Sequence, residues 1–115
     1  MYRAQYLSPM IPSFNISKTV SFFTELLSFE LVRNDKLYAI LQKDNLTIHI
    51  LPAGDIGEME FYLEVDNLDA VWQQLKGKTE GIKVKPPFHQ PYGMREIHLV
   101  VPETKTLLFI GQPLT

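Results

Sequence analysis

Glu60 and His49 are the side chains of this 115-residue chain whose surroundings best suit proton chemistry. In Met59–Val65, strand alternation sets Phe61, Leu63 and Val65 on one face and Glu60, Tyr62 and Glu64 on the other. A glutamate inside a partly apolar pocket has a raised pKa and can act as a general base. The same glutamate left in water is an ordinary strand carboxylate. His49 lies in Leu46–Leu51, where Ile48 and Ile50 share one face and Thr47, His49 and Leu51 the other. It reads either as a hydrogen-bonded strand histidine or as a ligand contact with acid–base capacity. Side by side, Glu60 and His49 would form a proton-transfer pair.

The other candidates would bind rather than react. Tyr92, in the loop Pro86–Gly93, suits an aromatic lid over a ligand. Arg95 either holds an anionic ligand group or pairs with a carboxylate such as Glu96. His98 shares a strand face with Glu96 and Val100, and His89 sits in the Pro-rich loop facing water. In the last strand, Leu107 and Phe109 are expected to face the helices, and Thr106, Leu108 and Ile110 the cavity. The expected lining is therefore Met10, His49, Glu60, Tyr62 and Leu108, joined by Tyr92, Met94 and His98. This is an apolar pocket with a few polar anchors, as small-molecule sites are. Trp72, Phe22 and Phe23 read as core.

Composition removes whole classes of function. The chain has no cysteine, hence no thiolate nucleophile and no zinc–sulfur site. A formal net charge of −2 leaves no footprint for nucleic acid. No apolar stretch reaches the roughly 20 residues of a membrane span, and the N-terminal residues lack the apolar region of a signal peptide. A cytoplasmic location is the default expectation. There is no Gly-rich phosphate loop, no serine nucleophile elbow and no paired-carboxylate helix motif.

The elements that position these residues are laid out twice. A strand around Ser8–Ile11 leads to Asn15-Ile16-Ser17-Lys18-Thr19-Val20 at the start of a helix. A strand around Glu60–Val65 leads to Asn67-Leu68-Asp69-Ala70-Val71-Trp72 at the start of another, at a constant offset of 52 residues. The first strand reads as Tyr6–Ser13, with Pro9 and Pro12 marking an edge. Ser17 is the expected first cap; Val20, Phe23, Leu26 and Leu27 form the apolar stripe. Phe29–Arg33, Leu37–Gln42 and Leu46–Leu51 follow as strands, and Pro52–Gly57 as a linker. In the second half Asp66 or Asn67 caps a helix striped by Leu68, Val71, Trp72 and Leu75. Ile82–Lys85, Met94–Val101 and Thr106–Ile110 follow as strands. Each half thus reads strand, helix, three strands. The whole is one domain: module one spans about residues 1–53 and module two about 58–115. Two helices cannot cover both faces of eight strands, so they must pack on one face while the other curves around a cavity.

Four stretches carry a family likeness: Val20–Val32, Glu64–Val71, Pro91–Glu96 and Val101–Leu108. Together they resemble the vicinal oxygen chelate superfamily, which holds glyoxalase I, bleomycin-resistance proteins and extradiol dioxygenases. The resemblance implies an α+β fold. Two βαβββ modules would form an open, curved, mixed sheet around a cavity, with helices on the outer face. It also implies a homodimer, in which a hinge at Pro52–Gly57 could exchange modules between copies. Metal-using members carry ligands at positions matching Ser8, His49, Glu60 and Leu108. Leucine cannot bind a metal and a neutral serine is a poor ligand, so no metal and no other cofactor is expected. The expected function is metal-independent binding of a small, partly apolar molecule. The alternative is a glyoxalase-like lyase, isomerase or epimerase with Glu60 as general base and a divalent metal held at a non-standard site.

Overall fold

Two prolines near the start decide how the first sheet ends. In the computed structural model β1 (Met10–Ser13) pairs on one side only, with β4 (Leu46–Pro52), in parallel. The carbonyls of Pro9 and Ser13 accept from the amides of His49 and Ala53. By alternation, Met10 and Pro12 therefore present their backbones to the free edge, where Pro12 has no N–H to offer. The structure describes residues 1–115 apart from Tyr2, Ala4, Tyr6, Leu7, Lys36, Asp55, Ile56, Gly57 and Thr115. The expected start of the first strand at Tyr6 and the last three residues of the expected linker lie outside the described residues.

The chain continues through α1 (Ile16–Leu26), β2 (Glu30–Asp35) and β3 (Tyr38–Lys43) before β4. Module two repeats the plan with β5 (Met59–Glu64), α2 (Leu68–Leu75), β6 (Val84–His89), β7 (Met94–Val100) and β8 (Thr106–Pro113). The strands form two four-stranded mixed sheets, ordered β1-β4-β3-β2 and β5-β8-β7-β6. Neither is closed into a barrel, and β1 and β5 are edges. The α+β class and the duplicated module hold; the eight strands are not hydrogen-bonded into one sheet.

Both helices start on asparagine. The Asn15 side chain accepts from the Lys18 amide at 3.2 Å, and Asn67 accepts from the Ala70 amide at 3.0 Å. The cap is thus repeated at the same 52-residue offset, two residues earlier than the serine expected in module one. Helix α1 packs on β2, β3 and β4, and α2 on β6, β7 and β8. Phe22 and Phe23 on α1, and Leu68 and Leu75 on α2, join Ile11, Leu41, Ile50, Ile97, Leu99, Leu108 and Ile110 in one core. Hydrogen bonds among the described residues also tie the halves: Thr19 Oγ1 to the Pro102 carbonyl (2.8 Å), the Phe14 amide to the Glu103 carbonyl (2.7 Å) and, at the surface, Gln74 Nε2 to Ser28 Oγ (2.9 Å).

Two local expectations fail for physical reasons. Pro86 and Pro87 lie within β6 rather than in a loop, because β6 is an edge strand and its register slips between Lys85 and Phe88. The faces of β8 are reversed. Phe61 pairs with Leu108 and Tyr62 with Phe109, so Leu108 and Ile110 join the helix-side core while Leu107 and Phe109 share the open face with Glu60 and Tyr62. The alternation within β5 and β4 is as expected: Phe61 and Leu63 are more buried than Glu60, Tyr62 and Glu64, and Ile48 and Ile50 belong to the core.

Candidate functional site

The open face of module two is built around one carboxylate. Glu96 and His98 lie two residues apart on β7, so they share a face. Glu96 takes hydrogen bonds from four side chains. Tyr62 Oη donates at 2.7 Å, Tyr92 Oη at 2.7 and 2.8 Å, His98 Nε2 at 2.7 Å and Gln90 Nε2 at 3.1 Å. The residue has no exposed surface. Burial by itself would raise its pKa. The bonds from His98, Tyr92, Tyr62 and Gln90 outweigh that and hold it at about 2. Glu96 is therefore an anion in neutral solution and can only accept. Its charge works back on its donors. Tyr62 is raised by burial and then by its bond to Glu96, and Tyr92 chiefly by its bond to Glu96.

Reaching Glu96 from β5 requires crossing β8, and Gly111 makes the crossing possible. Gly111 lies between Glu64 on β5 and Glu96 on β7. A Cβ there would overlap the Tyr62 hydroxyl. The missing side chain is the notch through which the Tyr62 ring lies flat along the sheet. Aromatic rings fill the rest of the face. His98 stacks on Phe109 with ring centres 4.1 Å apart and 13° between planes. Phe88 meets His98 edge-on at 4.8 Å, and Tyr62 meets Phe109 at 6.2 Å. The Lys85 ammonium sits 3.8 Å from the centre of the Phe88 ring. The outcome is an aromatic floor with its polar ends pinned from beneath, half open to water: Tyr62 is 42% and Tyr92 60% exposed.

Of the residues expected to line a cavity, Tyr62, Tyr92 and His98 meet here, and Met94 lies at the head of the same strand face. Met10 and His49 stand on the open face of module one. They are cross-strand partners there, and His49 Nδ1 hydrogen-bonds to the Tyr38 hydroxyl. No described contact joins His49 to Glu60, so the proton-transfer pair does not form. Glu60 stands instead at the rim of a cleft of about 420 Å³ between the modules, walled by Phe23, Phe29, Ile48, Phe61 and Leu63. Leu108 is a core residue. Arg95 points to the helix side and donates to Asp69 on α2 at 2.6 Å, which is the ion-pair reading with a different carboxylate. Sequence reasoning missed Glu96 as the centre, together with Gln90, Phe88 and Phe109. Two signals pointed there: a Glu-x-His alternation in β7, and a glycine inside the apolar β8 strand, which marks close approach.

Three of the four family metal positions, Ser8, Glu60 and Leu108, line the cleft between the modules, but of these only Glu60 has a side chain suited to a divalent metal. Ser8 is bonded to Thr47, with its Oγ 2.9 Å from Thr47 Oγ1 and 3.1 Å from the Thr47 carbonyl. His49 pairs with Met10, Glu60 pairs with Leu107, and Leu108 is in the core. Among the described residues no three His, Asp or Glu side chains form a cluster that could hold a metal ion. This donor set does not fit a family-type metal centre, which needs at least three protein ligands.

No family model and no curated protein matches the sequence. Solved structures do match. A bleomycin-resistance determinant encoded on the transposon Tn5 superimposes with a TM-score of 0.80 at 24% identity, over 97% of this chain and 100% of that one. A bleomycin-binding protein solved with bleomycin gives 0.79 at 25% identity, over 95% and 98% of the two chains. A lactoylglutathione lyase from Agrobacterium tumefaciens gives 0.78 at 11% identity, over 96% and 94%. No helix among the described residues is long and apolar enough to cross a membrane. With two βαβββ modules, open mixed sheets and these structural likenesses, the chain has the fold of the vicinal oxygen chelate superfamily, in its glyoxalase and bleomycin-resistance form.

Proposed function

We propose that this protein binds a small, partly aromatic molecule on the open face of module two, holding it without a resident metal and without turnover. The observation that carries this reading is the aromatic floor of Tyr62, Phe88, Tyr92, His98 and Phe109, fixed in place by the buried Glu96. Planar rings prefer offset stacking on such surfaces, each good contact contributing about 1 kcal/mol beyond area. The likeness to bleomycin-binding proteins supports an antibiotic of that type as the first molecule to try. A lyase or isomerase reading is weaker. Glu60 lies outside the Glu96 cluster, and no second carboxylate or imidazole is bonded to it among the described residues.

Bleomycin at ten times its dissociation constant should raise the melting temperature of the folded protein, because a ligand of the native state alone adds stability by mass action, about 1.4 kcal/mol at that ratio. The Phe109→Ala variant should lose most of that shift. Elemental analysis of the purified protein should return no stoichiometric divalent metal. One tightly held metal per chain would overturn the metal-free part of the reading.

A homodimer completes the proposal. The open faces, with Met10 50% exposed and both tyrosines half bare, then close on each other's counterparts in a second copy. Light scattering coupled to size exclusion should give about twice the 13.3 kDa of one chain. A mass of one chain would reject it.

A further inference from the structure

We infer that the molecule accepted by the module-two face is rich in N–H donors and positively charged, and that the buried Glu96 imposes this preference by deciding which way every neighbouring proton points. The inference rests on the reading of this face as a ligand floor and names the chemistry of what it takes.

The argument is a count of protons. Glu96 is ionised and has only lone pairs to give. Each group that touches it must therefore spend a proton on it. A tyrosine hydroxyl has one proton, so Tyr62 and Tyr92, both donating to Glu96, have none left and turn only lone pairs outward. The carboxylate likewise fixes the amide of Gln90: Nε2 faces Glu96 at 3.1 Å, and the carbonyl oxygen faces away. It also fixes which nitrogen of His98 carries a proton toward it: Nε2 donates to Glu96, which leaves Nδ1 as the nitrogen turned away from the carboxylate. One anion below the floor thus produces acceptors above it.

Charge points the same way. Glu60 and Glu64 flank Tyr62 on the open face of β5, and the faces of electron-rich rings attract cations. Lys85, a basic side chain that register places on this part of the face, already rests its ammonium over Phe88 at 3.8 Å, as a ligand cation would. The other nearby base, Arg95, is turned to Asp69 on the helix side. A carboxylate ligand would meet lone pairs and the carboxylates of Glu60 and Glu64, with Lys85 and the second N–H of Gln90 as the side-chain donors at hand. Anionic thiol conjugates are therefore disfavoured, whereas amidines, guanidines and amine-bearing aromatic molecules suit the face.

Three probes of nearly equal shape test this: benzamidine, benzamide and benzoate. Each is titrated into the full-length protein while backbone amide resonances are followed by NMR. Benzamidine should shift the resonances of Gln90, Tyr92, Glu96 and His98 and bind at least tenfold more tightly than benzoate, with benzamide between. Benzoate binding as tightly as benzamidine would overturn the donor preference and leave the floor standing as a ligand site. All three probes leaving these resonances unmoved would overturn both readings together. Glu96→Gln tests the cause. Its amide can donate to one of its neighbours and so free a proton to turn outward. The benzamidine-to-benzoate ratio should fall at least fivefold, and an unchanged ratio would overturn the role of Glu96. Where that variant fails to fold, Tyr92→Phe gives the same information from an exposed position. It removes one outward acceptor and should weaken benzamidine several-fold while leaving benzoate unchanged; equal weakening of both would count against the proton argument.

Discussion

The Glu96→Ala variant should lose about 3 kcal/mol of stability, read from chemical unfolding. The substitution removes the common acceptor of Tyr62, Tyr92, His98 and Gln90 at once. Each donor left partly covered without a partner costs on the order of 1 kcal/mol or more, and those nearest water recover part of that. The variant should also be indifferent to acid in a range where the parent is not. The folded value of Glu96, about 2, lies below its ordinary 4.5. A carboxyl group depressed in the native state contributes stability above its unfolded pKa, so the whole contribution is present at neutral pH. It fades as the pH falls from about 4.5 toward 2, as the native carboxylate is protonated. The difference in stability between parent and variant should therefore be greatest at pH 7 and shrink through that window. A difference that stays constant from pH 7 to pH 2.5 would show that the Glu96 charge contributes nothing to the native state.

Gly111→Val should release Tyr62 from the floor. The new Cβ would occupy the place of the tyrosine hydroxyl. The displaced group is the tip of a flexible side chain, so the backbone need not yield; the ring swings into water instead. The loss is one charge-assisted hydrogen bond and its ring contacts, about 2 kcal/mol. Two readouts separate this from a general packing fault. The Tyr62 hydroxyl, now raised by burial and by Glu96, should titrate nearer its ordinary 10 in the variant. Tyr62→Phe in the parent should lose a similar stability, and adding it to Gly111→Val should cost little more, since both remove the same bond. Full additivity of the two substitutions would refute the notch.

The architecture was legible because its signals were periodic. The two helices at a fixed offset, and the clean alternation of Met59–Glu64, required nothing beyond residue order, although the cap of the first helix is Asn15 and not the expected Ser17. The site was less legible. Leu107-Leu108-Phe109-Ile110 is apolar at every position, so no alternation says which side meets the core, and the register with β5 decides it. Gln90, Tyr92 and His98 are near Glu96 in sequence, but the partner that closes the cluster, Tyr62, is 34 residues away and comes across an intervening strand. Glu60 stood out because its strand alternates well, which marks a face and not a function.

Asn15 and Asn67 do the same work in their halves, while the faces those halves present differ. One carries an imidazole bonded to Tyr38 beside an exposed methionine; the other carries a pinned aromatic floor over an anion. On the proposed binding reading, a molecule that touched both walls would meet a different chemistry at each end and would be held in a single orientation, head from tail, on a scaffold that is nearly symmetric.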